Sequence, residues 1–265
     1  MHLVDLLLAL VLLVWSIWAV RRIALKGWWH VPTRERATIP VWISIVLFLL
    51  FLPFQIFLAY VWNKFLPPND LQIPFIVFLS TLVYVIISLT PPFIQLWKRP
   101  NAYPFWKSVK TGFVALVLVL PIVFIVEGLM IVLFEQLLGI PRVDQDAILF
   151  LLAYADSPWQ FALVASLIAF AIPVLEELLF RGLLQNVLRR FLSAKFALPL
   201  TAIIFTLFHF SGEQGASNGI ILPALFILAL TLSWVYEKAG NLFASITLHS
   251  LFNIINICTL LMSHD

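Results

Sequence analysis

The chain has 265 residues, 63% of them hydrophobic and only 11% charged, with a mean hydropathy of +1.05 and a net charge of +3. That balance excludes an ordinary soluble domain. It predicts an all-α, polytopic transmembrane bundle of about eight helices, with no length left over for a sizeable extramembrane domain.

The first apolar run, from about Leu3 to Val20, is followed by Arg21, Arg22 and Lys26 and not preceded by them. It therefore reads as a retained helix with its N-terminus outside the cytoplasm, not as a signal peptide. Further spans are predicted at 40–62, 73–97, 112–138, 159–190, 198–210, 220–236 and 242–262. The first four helices, within residues 1–140, carry no recognisable motif, and all the site chemistry falls in 159–262. Between the two, the loop from Pro141 to Trp159 holds Asp144, Asp146 and Asp156 around the apolar segment Ile148 to Tyr154, which is expected to be an interfacial helix. Short linkers are read at 67–69, 98–104 and 211–219. No internal repeat is visible. The single cysteine, Cys258, excludes an intrachain disulfide and a multi-thiolate metal site.

Loop charge gives the orientation. Of the 16 Lys and Arg, 13 fall in the first, third, fifth and seventh loops: Arg21, Arg22, Lys26, Arg34, Arg36, Lys98, Arg99, Lys107, Lys110, Arg189, Arg190, Lys195 and Lys238. The opposite side holds Lys64 and Arg142. Both termini are therefore expected outside the cytoplasm, and the basic pI reflects helix orientation, not a nucleic-acid surface.

Three polar groupings interrupt the apolar helices of the C-terminal part. The first is Glu176, Glu177 and Arg181. At roughly 2.5 to 3.5 kcal/mol per central charge, these three would cost about 7 to 10 kcal/mol if unpaired in lipid, so they are expected to face protein or water. Glu177 and Arg181 are i,i+4 neighbours that can pair, while Glu176, rotated by about 100°, can face a cavity as an acid or base. The second grouping sets Phe205 and His209 four residues apart; the third does the same for His249 and Asn253. Counted at 1.5 Å per residue from the cytoplasmic helix ends, Glu176 lies about 20 Å deep, His209 about 17 Å, and His249 and Asn253 about 10 to 18 Å, so all four can meet at one level.

Each grouping alone could be interhelical packing; their convergence argues for a site. His2, His30 and His264 fall at or near helix ends and read as solvated bystanders. Glu127, near the middle of the fourth span, is expected to pair or to line a polar cavity.

The pattern Glu-Glu-x-x-x-Arg, then Phe-x-x-x-His, then His-x-x-x-Asn resembles that of the CAAX protease and bacteriocin-processing (CPBP, or Abi) family. The resemblance covers about residues 159 to 262. It implies an intramembrane endopeptidase in which Glu176 and His209 activate a water and His249 and Asn253 stabilise the oxyanion, with Glu177, Arg181 and Phe205 in support. No cofactor is expected. Zinc, held by Glu and two His, is the alternative those residue types allow, although no His-Glu-x-x-His element occurs. The implied partners are the bilayer and a peptide or membrane-protein substrate, lipidated in some members; no nucleic acid is implied. The compact chain suggests a prokaryotic inner-membrane protein. Two other classes compete: a non-catalytic scaffold or bacteriocin immunity protein, and a proton-coupled transporter, which would call for an inverted repeat.

The orientation is testable by cysteine-accessibility labelling. A cysteine introduced near Thr33 should react from the cytoplasmic side and one near Asp144 from the outside. Labelling of both from one side would overturn the eight-helix topology.

Overall fold

The computed structural model describes residues 3–25, 39–66, 71–91, 93–143 and 146–264. His2, Lys26, His30, Thr33, Arg34, Arg36, the 67–69 linker and Asp144 lie outside the described residues. Those described form helices α1 (Leu3–Leu25), α2 (Val41–Phe65), α3 (Gln72–Leu89), α4 (Phe105–Leu137), α5 (Asp146–Leu152), α6 (Pro158–Phe191), α7 (Ala194–Leu207), α8 (Asn218–Ala239) and α9 (Leu242–His264), with no strand among them. Every predicted span is represented by a helix, and α5 is the short element of the 141–159 loop. Among the described residues, six helices are long and apolar enough to cross a bilayer. The chain is an integral membrane helix bundle.

Prolines account for two of the differences in boundary. The span expected over 73–97 stops at Leu89, because Thr90 precedes Pro91 and is held extended at φ −82°, ψ 149°; a single 3₁₀ turn, Phe93–Leu96, follows. α4 starts directly after the extended Pro104, so Lys107 and Lys110 lie on its first turns and not in a loop. With 14 residues α7 is about 21 Å long, too short to cross the roughly 30 Å hydrocarbon core by itself.

Among the described residues, a smaller apolar cluster of Leu151, Tyr154, Val164 and Ile168 stands beside two large ones that form most of the interior. One joins Leu116, Val119 and Val123 of α4 to Leu228, Leu232 and Val235 of α8 and Leu248 of α9. The other joins Leu175, Leu178 and Leu179 of α6 to Phe205 of α7, Tyr236 of α8 and Tyr84 of α3. α8 contributes to both and is the most enclosed of the spans, whereas α2 is almost wholly peripheral. α4 approaches α9 so closely at Gly112 that a Cβ there would collide with the Ala244 carbonyl.

Polar bonds fix how α6 sits on α8. Arg181 Nη2 donates to the Ala229 carbonyl at 3.0 Å, Gln185 Nε2 to the Ser233 carbonyl at 3.1 Å, and Arg189 Nε to Glu237 Oε1 at 3.0 Å. Each rung advances four residues on both helices, so the two run parallel, and the side-chain pair Arg189–Glu237 sets which turn of α6 meets which turn of α8. Arg99 closes the end of this ladder. Its guanidinium reaches Glu237 Oε2 at 3.2 Å and Asn186 Oδ1 at 2.9 Å and lies over the Tyr236 ring at 4.4 Å. Arg99 is thus a buried structural residue, although it lies in the 98–104 linker. The backbone around it is pinned too: Arg99 N donates to Gly240 O and Tyr103 N to Ala239 O, at the left-handed Gly240 (φ 74°) that ends α8.

Glu237 neutralises two arginines from different segments, and its loss would strand both. Glu237→Ala is expected to lower stability by about 3 to 5 kcal/mol, the range for breaking a buried ion pair. Thermal unfolding of the purified protein measures it; an unchanged Tm would contradict the ladder.

Candidate active site

α6 carries the first grouping and departs from regular α geometry twice. It widens to π-helical turns over Leu167–Ala171 and again over Glu177–Gln185, with Ile172–Glu176 between them in α form. Such insertions cluster at functional sites, since they re-aim side chains and free backbone groups. Glu176 and Glu177 stand at the second junction.

The two carboxylates have different surroundings. Glu177 is fully buried, and its Oε1 accepts from Arg181 Nη1 at 2.9 Å and from His249 Nδ1 at 3.0 Å. A carboxylate can only accept, so the His249 Nδ1 carries a hydrogen. Glu176 remains 21% exposed, with Oε2 3.7 Å from His249 Nε2 and Oε1 3.9 Å from His209 Nε2. These distances are too long for direct hydrogen bonds and suit groups that share a bridging molecule.

His209 lies just past the end of α7, not inside a helical span reaching residue 210. Its Nδ1 donates to the Phe205 carbonyl at 2.9 Å, taking up one of the acceptors that a helix C-terminus leaves unpaired. The four-residue spacing therefore still brings the two side chains together, with ring centroids 4.6 Å apart. Phe205 is completely buried. Its ring contacts the His209 and His249 imidazoles and lies under the Arg181 guanidinium, 4.6 Å from ring centroid to Arg181 Cζ, so one phenyl group spaces three members of the cluster.

Asn253, one turn beyond His249 on α9, is half-buried. Its Nδ2 donates to the Ile168 carbonyl at 2.8 Å, within the first widened segment of α6. That bond fixes which end of the carboxamide faces α6, because a carbonyl accepts only from the nitrogen. One N–H of Asn253 is spent on the backbone; the other belongs to the same oriented nitrogen.

Glu176, His209 and His249 converge, therefore, with Glu177, Arg181 and Phe205 packed behind them. Glu127 stands apart and pairs with Arg142 at 3.1 Å. Among the described residues, no three His, Cys, Asp or Glu side chains are grouped to hold a metal ion. Sequence reasoning missed the Gln185, Asn186 and Glu237 layer beneath the site. Its only local trace is the continuation of the Arg181 stripe to Gln185 and Arg189 at intervals of four.

Residues 158–255 match the family model described as Rce1-like, type II CAAX prenyl endopeptidase Rce1-like. The search of curated proteins gives no match, and neither does the search of solved structures. The matched segment runs from the start of α6 to beyond Asn253 and takes in all three polar groupings. Over residues 158–255 the chain is thus similar to the Rce1-like family of type II CAAX prenyl endopeptidases.

Proposed function

We propose that the protein hydrolyses a peptide bond within the membrane by a glutamate-type mechanism, with Glu176 and His209 activating the water and His249 and Asn253 stabilising the oxyanion. The observation that carries this reading is the commitment of both imidazole Nδ1–H groups, one to Glu177 and the other to the Phe205 carbonyl, which leaves both Nε2 atoms on the Glu176 side. Neutral His209 offers an acceptor at Nε2, and Glu176 offers carboxylate oxygens. A water between them donates to both, and its lone pair is left to attack the carbonyl carbon.

As the new C–O bond forms, Glu176 takes the water's proton and the carbonyl oxygen becomes an oxyanion. His249 can donate to it from Nε2 only as imidazolium, since its Nδ1–H is held by Glu177. That form balances the charge of the cluster, two carboxylates against Arg181 and one imidazolium. The free N–H of Asn253 is the second donor. Collapse of the intermediate breaks the C–N bond, and the proton on Glu176 passes to the leaving amine. Glu177 and Arg181 act behind this set, holding the His249 ring in orientation.

The substrate in this reading is a peptide or membrane protein reached in the bilayer, with a lipidated cysteine near the scissile bond as the variant that the family description suggests. The setting is a prokaryotic cell membrane, with both termini outside the cytoplasm. The mechanism requires no metal. Elemental analysis of active protein tests that: stoichiometric zinc, lost with activity on chelation and restored with it, would turn Glu176, His209 and His249 into ligands.

Cleavage of a candidate peptide by the purified protein tests the assignment of the carboxylates. Glu176→Gln should lose at least about 10²-fold in rate with little change in Tm, because it keeps shape and removes the base. Arg181→Ala should also lower stability, by about 3 to 5 kcal/mol, because it strands the buried Glu177. Asn253→Ala should lose about 10² to 10³ in kcat with KM little changed. Full activity in Glu176→Gln beside a dead Glu177→Gln would reverse the roles of the pair.

A further inference from the structure

The carbonyl that holds Asn253 has no backbone donor available to it. In an α-helix the Ile168 oxygen would accept from the N–H of residue 172, and in a π turn from that of residue 173. In α6 the Ile172 N–H donates to Leu167 O, the π partner one residue earlier. Residue 173 is proline, which has no N–H to give. Ile168 and Pro173 are both buried, so water does not readily supply the missing donor. The bond comes instead from α9, through Asn253 Nδ2 at 2.8 Å.

We propose that Pro173 is a positioning residue for Asn253: by removing the one N–H that could reach the Ile168 carbonyl, it keeps that oxygen open for the carboxamide and so sets the orientation of Asn253. The widened turn and the proline act together. The first takes the Ile172 N–H away from Ile168, and the second ensures that the next residue cannot replace it. A feature that ordinarily weakens a helix interior becomes the means by which α6 grips α9 four residues beyond His249. This inference rests on the proposed mechanism only for the consequence in catalysis; the link between Pro173 and Asn253 is a matter of hydrogen-bond accounting.

The test is a double-mutant cycle on the full chain with Pro173→Ala, Asn253→Ala and the double variant, each read for Tm and for kcat and KM on a cleaved peptide. Alanine at 173 supplies an N–H that competes for the Ile168 oxygen. Pro173→Ala should keep or raise Tm while lowering kcat by about ten- to a hundredfold, the scale on which small misplacements act, with KM little changed. Asn253→Ala should lower Tm by stranding the carbonyl, and the double variant should recover that loss by more than Pro173→Ala adds to wild type. Its kcat should be no lower than that of Asn253→Ala alone. Additive Tm changes would overturn the link, as would wild-type kcat in Pro173→Ala when Asn253→Ala is impaired. Non-additive Tm changes with kcat untouched in Asn253→Ala would support the link and remove Asn253 from the oxyanion site.

Discussion

One oxygen atom organises the site: Glu177 Oε1, which accepts at once from Arg181 at 2.9 Å and from His249 at 3.0 Å. A lone carboxylate in an apolar interior is costly, and so is a lone guanidinium; the pair is tolerable because each satisfies the other in a fixed geometry. The third partner converts this structural pair into something usable. It orients an imidazole from a helix more than seventy residues away in sequence and fixes which ring nitrogen is turned toward Glu176. Glu176, one residue earlier, is left outside the pair and partly exposed. Adjacent acids of identical chemistry thus have different surroundings through what α8 and α9 place beside them.

The helix-to-helix register makes that oxygen reliable. Arg181 is at once the partner of Glu177 and the first rung of the ladder that continues through Gln185 and Arg189 to Ser233 and Glu237. In a bilayer the apolar faces of α6 and α8 have little preference among registers, since lipid tails compete with side chains on nearly equal terms. Buried polar rungs remove that freedom. Arg99 and the loop pinned over Gly240 carry the constraint on to the start of α9, the helix that bears His249 and Asn253.

The parts of this arrangement that sequence revealed are those written locally. Apolar runs marked the helices, and charges inside an apolar run marked α6. The spacing of four paired Glu177 with Arg181 and drew His209 to Phe205, even though α7 ends at Leu207 and His209 reaches back to a carbonyl at the helix end. What was not legible depends on partners distant in the chain. Arg99 looks like any loop cation until Glu237, 138 residues later, encloses it. The open Ile168 carbonyl depends on a local widening of α6 that no periodicity announces, and Pro173 alone reads as a kink.

The state of the His249 ring is the most direct observable of the account, because every role assigned around it assumes that Glu177 holds the Nδ1 hydrogen. In protein labelled with ¹⁵N-histidine, NMR distinguishes protonated from bare ring nitrogens, and a His249→Gln sample assigns the resonances. The account predicts a protonated Nδ1 in His249 whether the ring is neutral or charged, with that signal perturbed when Glu177 is replaced by Gln. A neutral ring carrying its hydrogen on Nε2, with Nδ1 bare, would contradict it.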